Sequence, residues 1–419
     1  MQYLTSIALL CWVQKNLKRT KMRILLVSSF LPYPLFSGGH IRLYNLIKEL
    51  SKKHSITLIC EKRNYQKEKD IEEVRKFCKK IITVDRKKQW SLSNILKTGF
   101  SFTPFLITGH ESREMKNIIK KELNESQFDL IHVETSYVMQ NILETNIPIV
   151  LVEHNVEYLV YKRFADQARL ILRPFLYFDI LKLKLWEEAM WKKAAKLVAV
   201  SEIEKKIMDK VRQDVEVVPN GVDIHKFKAK SEKRKAENGE KRILFIGEFK
   251  WVQNRDAVEW ILKSIWPKIH NSQFMIHNSI KLWIVGRHIP DSIRSLTRDK
   301  SIIFDENAPN QTEQIYEKAD LLLAPIRVGG GTSFKILEGM ASGVPVITTS
   351  LGNAINAKED SEIVIAKTPE DFVYNIKKLL EDKKLYETIS QNARKLIEEK
   401  YSWEKIVEKL EYTYQSARL

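Results

Sequence analysis

A chain of 419 residues is long enough for two domains of ordinary size, and 44% hydrophobic with 29% charged residues is the composition of a soluble globular protein. Three cysteines, Cys11, Cys60 and Cys78, have no metal-ligand spacing, which sets aside a zinc centre and gives a reduced, cytoplasmic chain as the simple reading. The net charge of +17 suits an anionic partner, whether an acidic membrane, a lipid-linked or phosphorylated substrate, or a nucleic acid; lysines scattered over solvated helix faces would carry the same charge. No helix-turn-helix, zinc-finger or RNA-binding signature accompanies it, so nothing else argues for nucleic acid.

Along the chain, Leu4 to Val13 is apolar but too short to span a bilayer. Its cations (Lys15, Lys18, Arg19, Lys21) follow the apolar run, the reverse of a signal peptide. The first strand starts naturally near Met22, which leaves residues 1–21 as an extension of uncertain status. Short apolar runs at 24–28, 56–60, 81–84, 130–133, 149–152, 197–200 and 215–218 predict buried strands, with amphipathic helices between them. Residues 226–241 are charged and aperiodic and contain Asn238-Gly239, all linker signals. Strands at 243–246, 282–285, 302–304, 321–324, 346–349 and 363–365 then repeat the alternation, before three helices near 369–381, 384–400 and 403–415. Strands alternating with helices imply two doubly wound parallel sheets, an α/β chain.

Polar motifs sit at the expected strand ends. Ser37-Gly38-Gly39 follows the first strand and opens a helix, where a phosphate or an acceptor can approach the backbone; an ordinary strand–helix turn reads the same way. It lacks the G-x-G-x-x-G spacing of a dinucleotide site, which argues against a dehydrogenase. His154 and Asn155 follow the strand 149–152, where His154 either bonds locally or faces a site. Asn220-Gly221 is a tight turn leading toward the second half. Gly247 and the pair Gly286-Arg287 end two strands of that half. The segment from Pro325 to Val346 carries the most information, with a strand end, the glycines Gly329, Gly330 and Gly331, a short helix and a further strand. Three glycines let a ligand approach the backbone closely, and Thr332 or Ser333 is placed to cap the helix, whose first N–H groups then face an anion. Glu338 lies on a helix face otherwise apolar (Phe334, Ala341), where a carboxylate needs a partner. A nucleotide offers a phosphate to the helix start and ribose hydroxyls to the carboxylate.

These motifs, in this order, resemble those of family-4 glycosyltransferases of the GT-B fold, over nearly the whole chain from Met22. The resemblance implies two Rossmann-like doubly wound domains facing a central cleft. Residues 22–225 would bind the acceptor and 242–400 the nucleotide-diphosphate sugar, with a last helix at 402–417 packing back on the first domain. The donor would lie against Gly247, Gly286, Arg287, Gly330, Gly331, Thr332, Ser333, Phe334 and Glu338. Ser37, Gly38 and Gly39 would form a phosphate or acceptor loop, and Asn155, Asn220 and Gly221 would line the cleft. His154 would contact the transferred sugar. Such enzymes retain anomeric configuration and usually need no metal or further cofactor, and this chain has no Asp-x-Asp motif. The acceptor would be a glycan or a lipid-linked molecule of cell-envelope synthesis; the +17 charge, rather than the resemblance, adds the expectation of a peripheral contact to anionic membrane. Two departures stand out. Gly330 replaces the first Glu of the family's Glu-x7-Glu pattern, and Glu248 and Asn254 occupy places where relatives carry Arg and Lys. Arg327 and Lys335 are nearby cations able to restore the charge, so they join His154 as candidate catalytic residues, although Arg327 also reads as a surface cation after a strand. The aromatic and basic stretch from Arg163 to Trp191 reads either as helices covering the first sheet or as an interfacial surface. A sugar-nucleotide epimerase or hydrolase of the same fold, and a basic nucleic-acid-binding protein, are the alternatives.

Overall fold

The structure, a computed structural model, describes residues 21–228, 240–270, 279–308, 311–329 and 331–418. The extension before residue 21, residues 229–239 of the linker, and Gly330 lie outside the described residues. The first sheet contains β1 (Arg23–Ser28), β2 (Ser55–Lys62), β3 (Lys80–Asp85), β4 (Leu130–Glu134), β5 (Ile149–Glu153), β6 (Lys196–Ala199) and β7 (Val215–Val217). The second contains β8 (Lys241–Ile246), β9 (Ile280–Val285), β10 (Ile302–Asp305), β11 (Leu321–Ala324), β12 (Val346–Thr348) and β13 (Val364–Ile365). Every predicted apolar run forms its strand, each having the length of a sheet strand rather than a helix; the inner strands are buried, whereas the edge strands β3 and β10 are only partly so.

The orders are β3-β2-β1-β4-β5-β6-β7 and β10-β9-β8-β11-β12-β13, and all pairings are parallel. Each sheet therefore reverses its winding direction once, between β1 and β4 and between β8 and β11. Ligands of open α/β sheets bind in the crevice beyond the strand C-termini at such switch points. The chain places Ser28 beside Glu134 in register at the first of them.

The helices that frame the two switch points and the outer surface of the first half are α1 (Gly38–Leu50), α2 (Leu92–Phe100), α3 (Glu157–Gln167), α4 (Arg173–Lys193), α5 (Val252–Trp260), α6 (Phe334–Ala341) and α7 (Trp403–Ala417). The helix after β8 begins as α5 and passes through a π-helical turn at Ile261–Ile265 into Trp266–His270. The last helix, α7, crosses to the first sheet. Its Trp403, Ile406, Val407 and Leu410 are buried at i, i+3, i+4 and i+7, with Tyr414 one turn further on, in a core shared with Leu43, Leu46 and Leu50 of α1. Val222 and Trp403 exchange backbone contacts around this crossing, with Val222 N–H donating to Tyr401 O at 2.9 Å. Glu411 adds an ion pair to Lys53 at 3.0 Å and accepts a hydrogen bond from His54 Nε2 at 3.1 Å, with His54 Nδ1 accepting the Met22 N–H at 3.2 Å.

Candidate active site

At the switch point of the first sheet, β4 ends in a fully buried carboxylate, Glu134. Its two oxygens face two imidazoles: His154 Nε2 lies 2.5 Å from Oε1, and His132 Nε2 lies 2.6 Å from Oε2. Burial works to raise the Glu134 pKa, but the two imidazoles outweigh it and hold the carboxyl well below the usual carboxylate range. An ionised carboxylate only accepts, so both Nε2 atoms carry a proton. His132 Nδ1 lies 2.6 Å from the hydroxyl of Tyr414, on α7, and accepts from it when the ring is neutral. Burial, reinforced by Glu134, raises the Tyr414 pKa, which keeps the phenol a donor. The buried guanidinium of Arg42 approaches Glu134 at 3.7 Å and donates to Val218 O and Pro219 O, at 2.9 and 2.8 Å.

His154 Nδ1 is left facing the glycine turn at the start of α1, where a Cβ on Gly39 would stand 3.3 Å from it. Beside it Ser37, the N-cap of α1, lies 2.6 Å from His40 Nδ1. His40 is lowered to about 4 by burial, with Arg63 and His154 adding to the effect, so it is neutral near pH 7. Asn155, by contrast, is exposed and donates to Glu157 at 3.2 Å.

At the switch point of the second sheet, β8 and β11 lead into two loops. Gly286 is required there by close approach, since a Cβ would stand 1.9 Å from Gly247 O. Gly329 and Gly331 take φ of 122° and 76°, as a tight glycine turn demands. The expected hydroxyl cap of α6 does not form. Ser333 holds the N-cap position without a side-chain cap bond, and the Thr332 hydroxyl donates instead to Val200 O at 3.2 Å. The helix start is thus left without a capping side chain, and an external anion can take that role.

Lys335 and Glu338 stand one turn apart on α6. Lys335 Nζ donates to Asn254 Oδ1 at 2.7 Å and lies 4.3 Å over the Phe245 ring. Burial lowers its pKa to about 7, against the pull of Glu338. Burial likewise pushes Glu338 up to about 7, against the hydrogen bond from Tyr316, whose hydroxyl donates to Oε2 at 3.0 Å. Asn254 donates through its amide to Glu248 O at 2.8 Å, so the residue in the place of a family lysine becomes the support of a lysine from α6. Arg327 is engaged elsewhere. It forks onto Asp256 of α5 at 3.1 and 2.8 Å and lies 4.5 Å over Trp260. Of the two expected cations, Lys335 is the one α6 carries. Arg287 is exposed beyond β9, and its carbonyl accepts from Phe249 N–H at 3.0 Å.

The two loops meet across the cleft. A Cβ on Gly38 would stand 3.1 Å from the ring of Phe334. Asn220 accepts from Arg42 at 3.3 Å and donates to Thr332 O at 3.0 Å, which ties the first half to the glycine loop. Gly221 leaves room for Trp403, with a Cβ there 2.7 Å from the indole. His154 and Phe334 therefore lie against adjacent glycines, Gly39 and Gly38. Sequence reasoning missed Glu134, His132, Tyr414, Arg42 and His40. The signal for two of them was present: Leu-Ile-His-Val-Glu sets two ionisable residues in an otherwise apolar strand.

The sequence pattern described as Glycosyltransferase Family 4 matches residues 36–226, and that described as Glycosyl transferases group 1 matches residues 240–382. An uncharacterized 44.6 kDa protein in the cps region of Klebsiella pneumoniae is 23% identical over 84% of this chain and 90% of its own length. The UDP-Gal:α-D-GlcNAc-diphosphoundecaprenol α-1,3-galactosyltransferase of Escherichia coli is 20% identical over 72% of this chain and 79% of its own. Among solved structures, sucrose-phosphate synthase from Thermosynechococcus elongatus superposes with a TM-score of 0.68 at 15% identity, over 94% of this chain and 98% of that one. The likeness in fold is that of GT-B enzymes, and with both halves of the chain matched in order, the protein belongs to the family-4, group 1 glycosyltransferases.

Proposed function

We propose that the protein moves a sugar from a nucleotide-diphosphate donor to a glycan or lipid-linked acceptor in cell-envelope polysaccharide or glycoconjugate synthesis, with retention of configuration and without a metal. The observation that carries this reading is the pairing of Lys335 and Glu338 on a helix start without a capping side chain, across the cleft from His154. The first-turn amides of α6 and Lys335 take the diphosphate and stabilise the leaving group as the glycosidic bond breaks. Glu338 takes the ribose hydroxyls. His154 offers Nδ1 to a hydroxyl of the transferred sugar beside Gly39. The location of the Klebsiella relative in a cps region and the lipid-diphosphate acceptor named for the E. coli relative support the envelope setting.

A thermal-shift panel of UDP-, GDP-, ADP- and dTDP-sugars tests the donor, since a ligand at 100 times its Kd stabilises by about 2.7 kcal/mol. One base should raise the melting temperature, and a flat panel would remove the donor site from α6. Turnover should survive EDTA, and NMR of the product should show the donor's anomeric configuration retained. Donor consumption without any acceptor would instead favour the epimerase or hydrolase reading.

A further inference from the structure

Most of the large apolar side chains that the described residues expose lie on two neighbouring parts of the first half. One is α2 with its flanks: α2 buries no residue at all, Trp90 precedes it, and Phe100 and Phe102 at its end are each 90% exposed. The other is the turn Leu170–Leu172 with α4, whose outward Phe175, Phe178, Leu181 and Leu185 form one stripe at three- and four-residue spacings. The two are one surface. Lys182, itself buried, reaches from α4 to donate to the carbonyls of Thr98 and Ser101, at 2.8 and 3.4 Å, and Asp179 accepts the Phe105 N–H at 3.0 Å. The inner face of α4 packs normally, with Leu183 and Trp191 buried. A helix that merely covers a sheet presents polar residues outward. This one presents aromatics on both sides of a built joint.

We propose that this surface docks the protein on an anionic lipid bilayer. The charge around it selects that occupant. Lys87, Lys88, Arg169 and Lys184 are exposed on or beside these segments, and Lys162 and Arg163 on α3, which leads into the turn at Leu170. A second copy of the chain would bring these cations against each other, whereas an anionic membrane pairs with them while its acyl region takes the aromatic side chains. No helix among the described residues is long and apolar enough to cross a membrane, so the contact lies on the surface. The location relative to the cleft gives it a use. The α3 helix begins at Glu157, three residues after His154, and runs for 11 residues toward the turn at Leu170. At 1.5 Å per residue that is about 16 Å. Docking would therefore hold the His154 side of the cleft a short distance above the bilayer, within reach of an acceptor anchored in it. That reach to an acceptor rests on the function proposed above; the docking itself does not.

The test uses the full chain and the triple variant Phe100→Ser, Phe102→Ser, Phe175→Ser, whose exposed positions leave the core untouched. Both are sedimented with vesicles of phosphatidylglycerol and phosphatidylcholine, and with phosphatidylcholine alone. The wild type should bind the anionic vesicles, keep part of that binding at 0.5 M salt, and lose at least tenfold in the triple variant. Brominated lipid should quench wild-type fluorescence more than that of Trp90→Phe. Equal binding by wild type and triple variant, or full release by salt, would overturn the aromatic docking and leave charge alone. A wild type that ignores both vesicles, or that forms a dimer in solution which the triple variant abolishes, would also overturn it. The donor thermal shift, measured on the same variant, should stay unchanged, so a failed docking surface and a failed donor site are told apart.

Discussion

His154 donates its Nε2–H to the wholly buried carboxylate of Glu134, 2.5 Å away, and thereby turns Nδ1 toward the cleft. Which nitrogen of a histidine is protonated is set by the bond the other one makes. Here a single carboxylate fixes two imidazoles at once, His154 toward the cleft and His132 toward Tyr414.

Glu134→Gln tests this arrangement with little change of shape. An amide presents one acceptor and one donor, so it can satisfy only one of the two Nε2–H groups, and one imidazole must change tautomer. Turnover should fall about 10- to 100-fold, the equivalent of a hydrogen bond to a charged group. The donor thermal shift should persist, because Lys335 and Glu338 are untouched. The decisive readout is the ¹⁵N spectrum of labelled histidines, which should show one ring exchanging its protonated nitrogen. An unchanged spectrum with unchanged turnover would sink the relay.

The α6 pair sets a pH dependence of stability. Glu338 rises from 4.5 to about 7 on folding, so between those values the native state binds more protons and stability falls as pH rises. Lys335 falls from 10.5 to about 7, so between 7 and 10.5 the unfolded state binds more protons and stability climbs with pH. These two groups thus weaken the unliganded protein most near pH 7. Glu338→Gln should melt together with the wild type near pH 4, below both values, where Glu338 is largely protonated folded and unfolded, and melt about 1–3 °C higher at pH 8, where only the wild type carries a buried carboxylate. Donor affinity should move the other way and weaken by about 1.5–3 kcal/mol. A variant that loses stability at pH 8 would contradict the assigned burial cost.

The strands were legible because a run such as Leu321–Ala324 is buried on both faces, and no competing structure suits four apolar residues before a glycine turn. The glycine turn before α6 was legible as a turn, although a glycine run alone is common punctuation and does not by itself mark a donor site. The partners of its side chains were not. That Thr332 spends its hydroxyl on Val200, 132 residues earlier, depends on how the two halves meet. Arg327 reads as a free cation until Asp256 and Trp260 arrive from α5. Glu134 was overlooked because a polar residue ending an apolar strand looks like the strand's own boundary; its role emerges from the register with Ser28 and the arrival of His154 and Tyr414 beside the His132–Glu134 pair.

Gly39→Ala should separate folding from function. Gly39 lies within α1, and Ala is favoured over Gly inside a helix by roughly 1 kcal/mol. Its new methyl, however, would stand 3.3 Å from both Cε1 and Nδ1 of His154, on the side proposed for the sugar. The melting temperature should hold or rise while turnover drops about tenfold or more, read as a fall in kcat with the donor thermal shift kept. Full activity in this variant would move the reacting sugar away from Gly39.

The last helix contributes by packing and by chemistry, and two substitutions should separate these. Trp403 is buried, fills the space that Gly221 leaves, and lies 6.4 Å from the ring of Phe334, the first residue of α6. Trp403→Ala removes that bulk from a site walled by both halves, so it should cost about 3–5 kcal/mol in urea unfolding. Tyr414→Phe keeps the ring and its packing but takes the donor away from His132 Nδ1, which should cost only about 1 kcal/mol. Because Glu134 still holds both Nε2–H groups in that variant, the His154 tautomer should survive and turnover should change little. A loss of activity in Tyr414→Phe as deep as in Glu134→Gln would mean that α7 controls the protonation of His154 directly, and that the carboxylate alone does not.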